Sequence, residues 1–251
     1  MLKEILKYLL PPPVRQAMRR VQARIFGSEK AYRGMSNPDI FDSIYLHGVW
    51  GSTEDGLSTS GSGSHDAEIV EPYVEQISQF LAAVKPGIVV DLGCGDFNVG
   101  RHFAAMSKKY LACDVSKVII ERNKERFSHL HNVEFVNLDL STGNLPKADV
   151  ALVRQVLQHL SNDDIKAFVD HVNKHKPFKY LVVTEHLPLS DSFKANLDKP
   201  SGPNIRIGIN SGIILHQPPF NLESAEVRQI LTVPESSGGI KANITSTIYE
   251  F

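Results

Sequence analysis

The sequence predicts an α/β fold, a doubly wound, mostly parallel sheet covered by helices on both faces. Three observations carry this. Short apolar runs alternate with helical patterns between residues 87 and 184. A glycine turn lies between the first run and the pattern that follows it. Charged residues stand where each run ends. Continuous apolar runs mark strands buried on both faces, and strand–helix alternation implies parallel crossovers.

The 251 residues suffice for one large domain, or a domain plus an arm. Apolar residues make up 42% and charged residues 22%, which supports a packed core and excludes wholesale disorder. Lys and Arg total 27 against 28 Asp and Glu, a net charge of -1, so overall charge does not drive nucleic-acid binding. Cys94 and Cys113 are too few for a disulfide scaffold and have no zinc-finger spacing.

Residues 1–30 read as a basic arm. Residues 1–10 are apolar with two lysines and end at prolines 11–13, with no A-x-A-like cleavage site after them. They are too short to span a bilayer and do not read as a secretory signal. Val14, Met18, Val21 and Ile25 then fall at helical spacing, with the arginines largely off that stripe. Residues 1–25 hold six basic side chains and one acid, a net +5, which leaves -6 for the rest. The arm is either an amphipathic helix on an anionic membrane surface or a helix packed on the body. The expected location is the cytoplasm, with peripheral membrane association through the arm as the addition.

Residues 31–66 read as a connector that ends in a Gly/Ser-rich lid, GSTEDGLSTSGSGSHD. It is either an inert linker or a loop around a ligand's polar end, with Ser60, Gly61 and Gly63 at its centre. Residues 68–84 place Ile69, Val70, Tyr73, Ile77, Phe80, Leu81 and Val84 on one helical face.

The main domain is expected over residues 67–251. Its first strand, 87–92, ends at Asp91 and runs into the Gly93-Cys94-Gly95 turn, followed by a helix over 100–109. The second, 110–115, ends at Asp114, 21 residues after Gly93. An acid there can take both ribose hydroxyls, or cap the next helix, a role Ser116 could fill instead. The third, 133–138, leads to Asp139; the fourth, 149–153, to Arg154 and Gln155. A helix over 162–174 turns Ile165, Phe168, Val169 and Val172 inward. The fifth strand, 180–184, precedes Glu185 and His186. Ligands of such sheets bind beyond the carboxyl ends of the strands, where these residues gather. Residues 189–221, with four prolines and three glycines, read as a substrate-binding insertion, with Asn196, Asp198 and Arg206 facing a polar acceptor. Residues 242–251 alternate as a last strand in a terminal antiparallel hairpin.

A nicotinamide site would want a third glycine where Asn98 stands. Asp91 and Asp96 flank the turn and would repel a pyrophosphate, whereas a sulfonium and an α-ammonium group tolerate them. That chemistry points to S-adenosylmethionine. The stretches VVDLGCG, CDVS, NLDL and ADVALVRQVLQHLSNDD, spanning residues 88–186, resemble the core of class I S-adenosylmethionine-dependent methyltransferases, with Phe97 in place of the usual third glycine. SGSGS, GDFN, RQVLQHLS and N-x-D…PPFNL are similar to a bacterial subgroup linked to sugar and glycan modification, with departures at Gln155 and over residues 199–216.

The resemblance implies a Rossmann-like sheet of seven strands and methyl transfer from S-adenosylmethionine to an oxygen of a sugar, a glycan or another small polar acceptor. No nucleic-acid partner is expected, and no spaced ligand pair supports a metal site, although sugar methyltransferases that need magnesium exist. The alternatives are a protein or nucleic-acid methyltransferase, or an inactive donor-binding protein. Arg154-Gln155-Val156-Leu157 stands where amino-group methyltransferases carry Asn/Asp-Pro-Pro-aromatic, against the first of these. By the same resemblance Gly93 and Gly95 pass the methionine portion, Asp91 orients the turn or takes the ammonium, and Asp114 holds the ribose. Asp139 and Leu140 meet the adenine, and Arg154 and Gln155 line the sulfonium side. Ser60 and Gly61 close over the carboxylate, and Asp96 and Val115 complete the donor set. A hydroxyl acceptor needs a general base, for which His186, His159 and Glu185 are the candidates.

Overall fold

The computed structural model describes residues 29–54, 56–142, 144–237 and 239–251, so the helical stripe predicted near the N-terminus lies outside it. Helix α1 (Asn37–His47) opens with a proline in its first turn and Ser36 accepting from the Asp39 N–H, and closes on left-handed Gly48. Helix α2 (Ala67–Val84) is capped by Asp66. Then follow β1 (Ile88–Leu92), β2 (Lys109–Asp114), α3 (Lys117–Arg126), β3 (Val133–Asn137), β4 (Ala148–Arg154), α4 (Asn162–His175), β5 (Phe178–Pro188), β6 (Glu226–Ser237) and β7 (Ile240–Glu250). None of the described helices is long and apolar enough to cross a membrane.

The seven strands form one sheet in the order β3-β2-β1-β4-β5-β7-β6. It is mixed, not the mostly parallel sheet expected. The pairs β2–β3, β1–β2, β1–β4 and β4–β5 are parallel, and β5–β7 and β6–β7 are antiparallel. A tight hairpin joins β6 to β7, which forces opposite directions, and β7 enters between β6 and β5. The apolar layer on one face takes Ile40, Phe41 and Ile44 of α1 with Ile165, Phe168 and Val169 of α4. The other takes Tyr73, Ile77 and Leu81 of α2 with Ile119 and Ile120 of α3. The strand order reverses at β1, which opens a crevice at the carboxyl ends of β1 and β4.

Three local expectations change. The helix over 100–109 is replaced by 3-10 turns at Gly100–His102 and Ala104–Met106. Because β2 starts at Lys109, too little chain remains for a crossover helix, and Phe97 and Phe103 are drawn fully inside. Residue 97 adopts a left-handed φ of 60°. Its ring packs against Tyr110, Phe127 and Phe135 at centroid distances of 5.7, 5.1 and 5.0 Å. The chain thus uses a buried aromatic anchor where a glycine would have eased the backbone. Strand β5 runs on to Pro188, because β7 pairs with it from Tyr180 to Pro188, so Glu185 and His186 are strand residues. Asn196, Asp198 and Arg206 do not face an acceptor. Asn196 bonds to backbone atoms of Ile214 and Pro218, Asp198 accepts from the Asn162 N–H, and Arg206 donates to Leu157 O, Leu197 O and Asn162 Oδ1. These polar groups hold a folded loop whose backbone would otherwise lack partners.

Phe97→Ala should cost ~3–5 kcal/mol of stability, the usual cost of emptying a buried aromatic site. Urea denaturation followed by circular dichroism checks this; a loss under 1 kcal/mol, roughly a surface substitution, would show that the ring is not an anchor.

Candidate active site

A cavity of about 370 Å³ lies at the carboxyl ends of β1, β2, β4 and β5, within the usual size of small-molecule sites. Its floor is the glycine turn. Gly93 has φ 88° and Gly95 φ 54°. A Cβ on Gly93 would stand 2.3 Å from Val156 Cγ2, and one on Gly95 would stand 2.3 Å from Ser60 Oγ. Only glycine meets both the dihedral and the approach.

Two buried carboxylates sit beneath the turn. Asp114 accepts from Gly95 N–H at 3.0 Å and Ser116 N–H at 2.9 Å. Burial still lifts its pKa to about 6 against those bonds. Asp91 accepts from the Tyr110 hydroxyl at 3.1 Å. Burial pushes its pKa up to about 7, with the Tyr110 bond opposing and the Asp114 charge adding. Desolvation of the charged form is the cause in both cases.

The lid is folded over this floor. Ser60 N–H donates to Asp96 Oδ2 at 3.0 Å, and Asp96 N–H donates back to Ser60 Oγ at 2.8 Å. His65 Nε2 lies 2.6 Å from the same carboxylate oxygen, and Asn98 Nδ2 donates to Ser64 O at 2.7 Å. Burial would raise Asp96, but His65 and the N–H groups of Ser60 and Asn98 outweigh it and hold the carboxyl below its usual range. Arg154 donates to Gly63 O and Ser64 Oγ, with its guanidinium 4.8 Å over the Tyr73 ring. The residues Asp96 and Arg154, expected to face a ligand, spend these contacts on the lid.

Ser60, Gly61, Asp91, Gly93, Gly95, Asp96, Asp114, Val115, Asp139, Leu140, Arg154 and Gln155 all line the cavity. Ser141 donates twice to Asp139 Oδ1, through its N–H and its hydroxyl. Gln155 takes a left-handed φ of 55°, uncommon for a side-chain-bearing residue and frequent at functional sites.

The three proposed bases differ in surroundings. Glu185 is absent from the cavity wall; it accepts from Leu157 N–H at 2.8 Å and Gln158 N–H at 3.2 Å and holds the turn after β4. Burial lifts its pKa to about 8 despite those bonds. His159 lines the wall with its ring 4.8 Å from Trp50, and burial, with Lys199 adding, lowers its pKa to about 3. His186 lines it too, with Nδ1 2.9 Å from Gln158 Oε1; burial and the Arg154 charge lower its pKa to about 4.

Other wall residues carried no motif. Phe41, Tyr45 and Trp50 come from α1 and the chain after it, Pro203, Asn204 and Ile205 from the insertion, and Glu235 from β6. Trp50 donates from Nε1 to Pro203 O at 3.2 Å. The one readable signal was Ser36-Asn37-Pro38-Asp39, a cap followed by a first-turn proline, which marks α1.

Residues 90–176 match the family model described as a methyltransferase domain. No curated protein sequence matches the chain. Among solved structures, the N-methyltransferase NodS from Bradyrhizobium japonicum WM9, in complex with S-adenosyl-L-homocysteine, has a TM-score of 0.54 at 13% identity, over 72% of this chain and 87% of that one. The N-terminal domain of EvdMO1, with the same product bound, has a TM-score of 0.51 at 12% identity, over 92% and 96%. The methyltransferase domain of bacterial CtHen1 has a TM-score of 0.50 at 17% identity, over 72% and 98%. At these identities the likeness is one of fold.

Asp96→Asn should free the lid. Backbone amides of residues 60–65 should exchange with deuterium about tenfold faster or more, as expected when a charge-assisted clamp is lost. Unchanged exchange would mean that Arg154 alone holds the lid.

Proposed function

We propose that this S-adenosylmethionine-dependent methyltransferase passes its methyl group to a hydroxyl oxygen of a sugar, a glycan or another small polar acceptor. The observation that carries the reading is His186, a neutral imidazole on the cavity wall. Gln158 Oε1 lies 2.9 Å and Gln155 Nε2 3.4 Å from Nδ1; in the tautomer whose Nδ1 proton points to the nearer Gln158, the lone pair is on Nε2. A buried histidine that is neutral at pH 7 can accept the proton a hydroxyl must lose. His159 packs against Trp50 and Glu185 serves the turn after β4, so neither takes that role in this reading.

The chain's residues fit the donor. A buried acid raised to about 7, Asp91, is satisfied by a cation, which the α-ammonium group provides. Asp114, at the tip of β2 and already fixed by two N–H groups, would take the ribose hydroxyls. Val115, Asp139 and Leu140 would enclose the adenine. Gly93 and Gly95 leave the backbone bare beside the methionine portion, and Ser60 and Gly61 cover it. The bound donor supplies an electrophilic methyl group on a sulfonium. Catalysis by the chain is then chiefly alignment and water exclusion under the lid.

In this reading residues 67–251 are the catalytic domain and 189–221 its acceptor-side insertion. Pro203, Asn204 and Ile205 on the cavity wall support that division. Trp50 and His159, their rings 4.8 Å apart and tilted by 46°, give that wall an aromatic corner, and either ring face can pack on a sugar. The test is calorimetric titration with S-adenosylmethionine and S-adenosylhomocysteine, NAD as control, followed by an acceptor panel of sugars and then amino sugars. Binding of NAD alone would overturn the reading.

The raised Asp91 pKa sets a sign. Its neutral form is favoured in the empty fold, so stability falls as pH rises through about 7. An ammonium ligand prefers the ionised form. S-adenosylhomocysteine should therefore bind more tightly as pH rises from 6 to 8, releasing a fraction of a proton, and Asp91→Asn should flatten the curve. Buffer-dependent binding enthalpies measure that proton; a zero value removes Asp91 from the ammonium site.

His186→Gln should lower kcat ~100-fold or more on an acceptor from the panel, the usual worth of a general base, with the donor's dissociation constant held. An unchanged kcat would remove His186 as the base.

A further inference from the structure

A carboxylate reaches the same imidazole from a strand that carries no motif. On the sheet, β7 lies between β5 and β6, with Ile244 opposite both His186 and Val233. Glu235 is two residues beyond Val233 and shares its face. At its own level the intervening residue is Ala242, opposite both Pro188 and Glu235. A methyl there leaves room for a longer side chain to cross.

Glu235 Oε2 lies 3.3 Å from His186 Nε2, and Glu235 is part of the cavity wall. That oxygen is buried and accepts no hydrogen bond from any described residue. It faces Nε2 at ion-pair distance without hydrogen-bond geometry, so what it offers a protonated ring is its charge. The other charged and titratable groups around the pair are Arg154, Glu185, His159 and Asp66. Of these, Arg154 donates to the lid and Glu185 accepts from the turn after β4.

We propose that Glu235 is the positioning residue of the base: it stabilises the His186 imidazolium and sets a negative potential on the acceptor side of the cavity. This rests on the reading of His186 as the base. The acceptor's proton moves to Nε2, its oxygen gains the methyl group, and the sulfur keeps the electron pair of the broken bond. The charge created on the imidazole then faces Oε2 instead of an empty apolar wall.

The test needs no acceptor. Sinefungin carries an amine-bearing carbon in place of the donor's sulfonium methyl, so its cation samples the acceptor side. S-adenosylhomocysteine lacks that cation and serves as reference. Calorimetry on the full chain should show sinefungin binding about tenfold more tightly than S-adenosylhomocysteine, and Glu235→Gln should abolish most of that preference while Glu235→Asp keeps part of it. If His186→Gln lowers the preference and Glu235→Gln does not, Glu235 has no such role and the base assignment stands. If neither variant lowers it, both assignments fall. Equal weakening of both ligands in Glu235→Gln would mark a structural role and overturn the proposal.

Discussion

The Asp114 carboxylate, bonded to the N–H groups of Gly95 and Ser116, is the contact on which the donor cavity depends. It joins the turn after β1 to the tip of β2, positions 19 residues apart that lie just past the last β1–β2 pair, Leu92 with Cys113. Neighbouring contacts reinforce the joint. Asn123 of α3 donates to Gly95 O at 2.7 Å, and Asp42 of α1 accepts from Ser116 Oγ and Val118 N–H. Helices from both faces of the sheet are thereby fastened to one turn. The glycine backbone is held open from below by these bonds, not by its own rigidity, since glycine brings the least conformational restraint of any residue.

The same corner concentrates negative charge that the fold does not neutralise with cations. Asp91 and Asp114 are buried and raised, and the nearest buried cation, Arg154, is turned onto the lid. Asp96 has the opposite sign of shift because the lid brings donors to it. The two sets explain each other. Closing the lid takes up Asp96 and Arg154, so the acids left facing the cavity are those a cationic ligand would satisfy. Desolvation thus tunes the site for a positive group more than any single ion pair does.

The side of the cavity built on the glycine turn was legible in the sequence and the opposite side was not, for a physical reason. Glycines at 93 and 95 and acids at 91, 114 and 139 are local consequences of a strand ending in a tight turn, so each is readable within a few residues. Phe97 shows the limit of that local reading: a missing glycine signalled only a departure, and its burial depends on rings from β2, β3 and the end of α3. The antiparallel end of the sheet was only half legible. Strand β7 alternates, whereas β6 has no clear apolar period because much of it lies at an exposed edge. Asn196, Asp198 and Arg206 looked like ligand contacts because polar residues in a long loop usually face outward. In this loop they replace the backbone ladder that a regular element would supply.

That division bears on how such a chain selects its acceptor. The residues read as donor contacts sit at the ends of β1, β2, β3 and β4, with Ser60 and Gly61 of the lid added from outside the sheet. Part of the remaining wall comes from Trp50 after α1, Pro203 and Asn204 in the insertion, and Glu235 on the edge strand. These three segments meet only in the folded state, the first two joined by the Trp50–Pro203 hydrogen bond. Each can change without disturbing the parallel core, because no strand register passes through Trp50 or Pro203 and Glu235 stands at a free edge. A sheet that holds one donor can therefore be refitted for different acceptors by its periphery alone, and His186 is where the two halves touch. It is carried by a core strand and faces a carboxylate from the edge strand, so a change at the periphery reaches a core side chain through one contact.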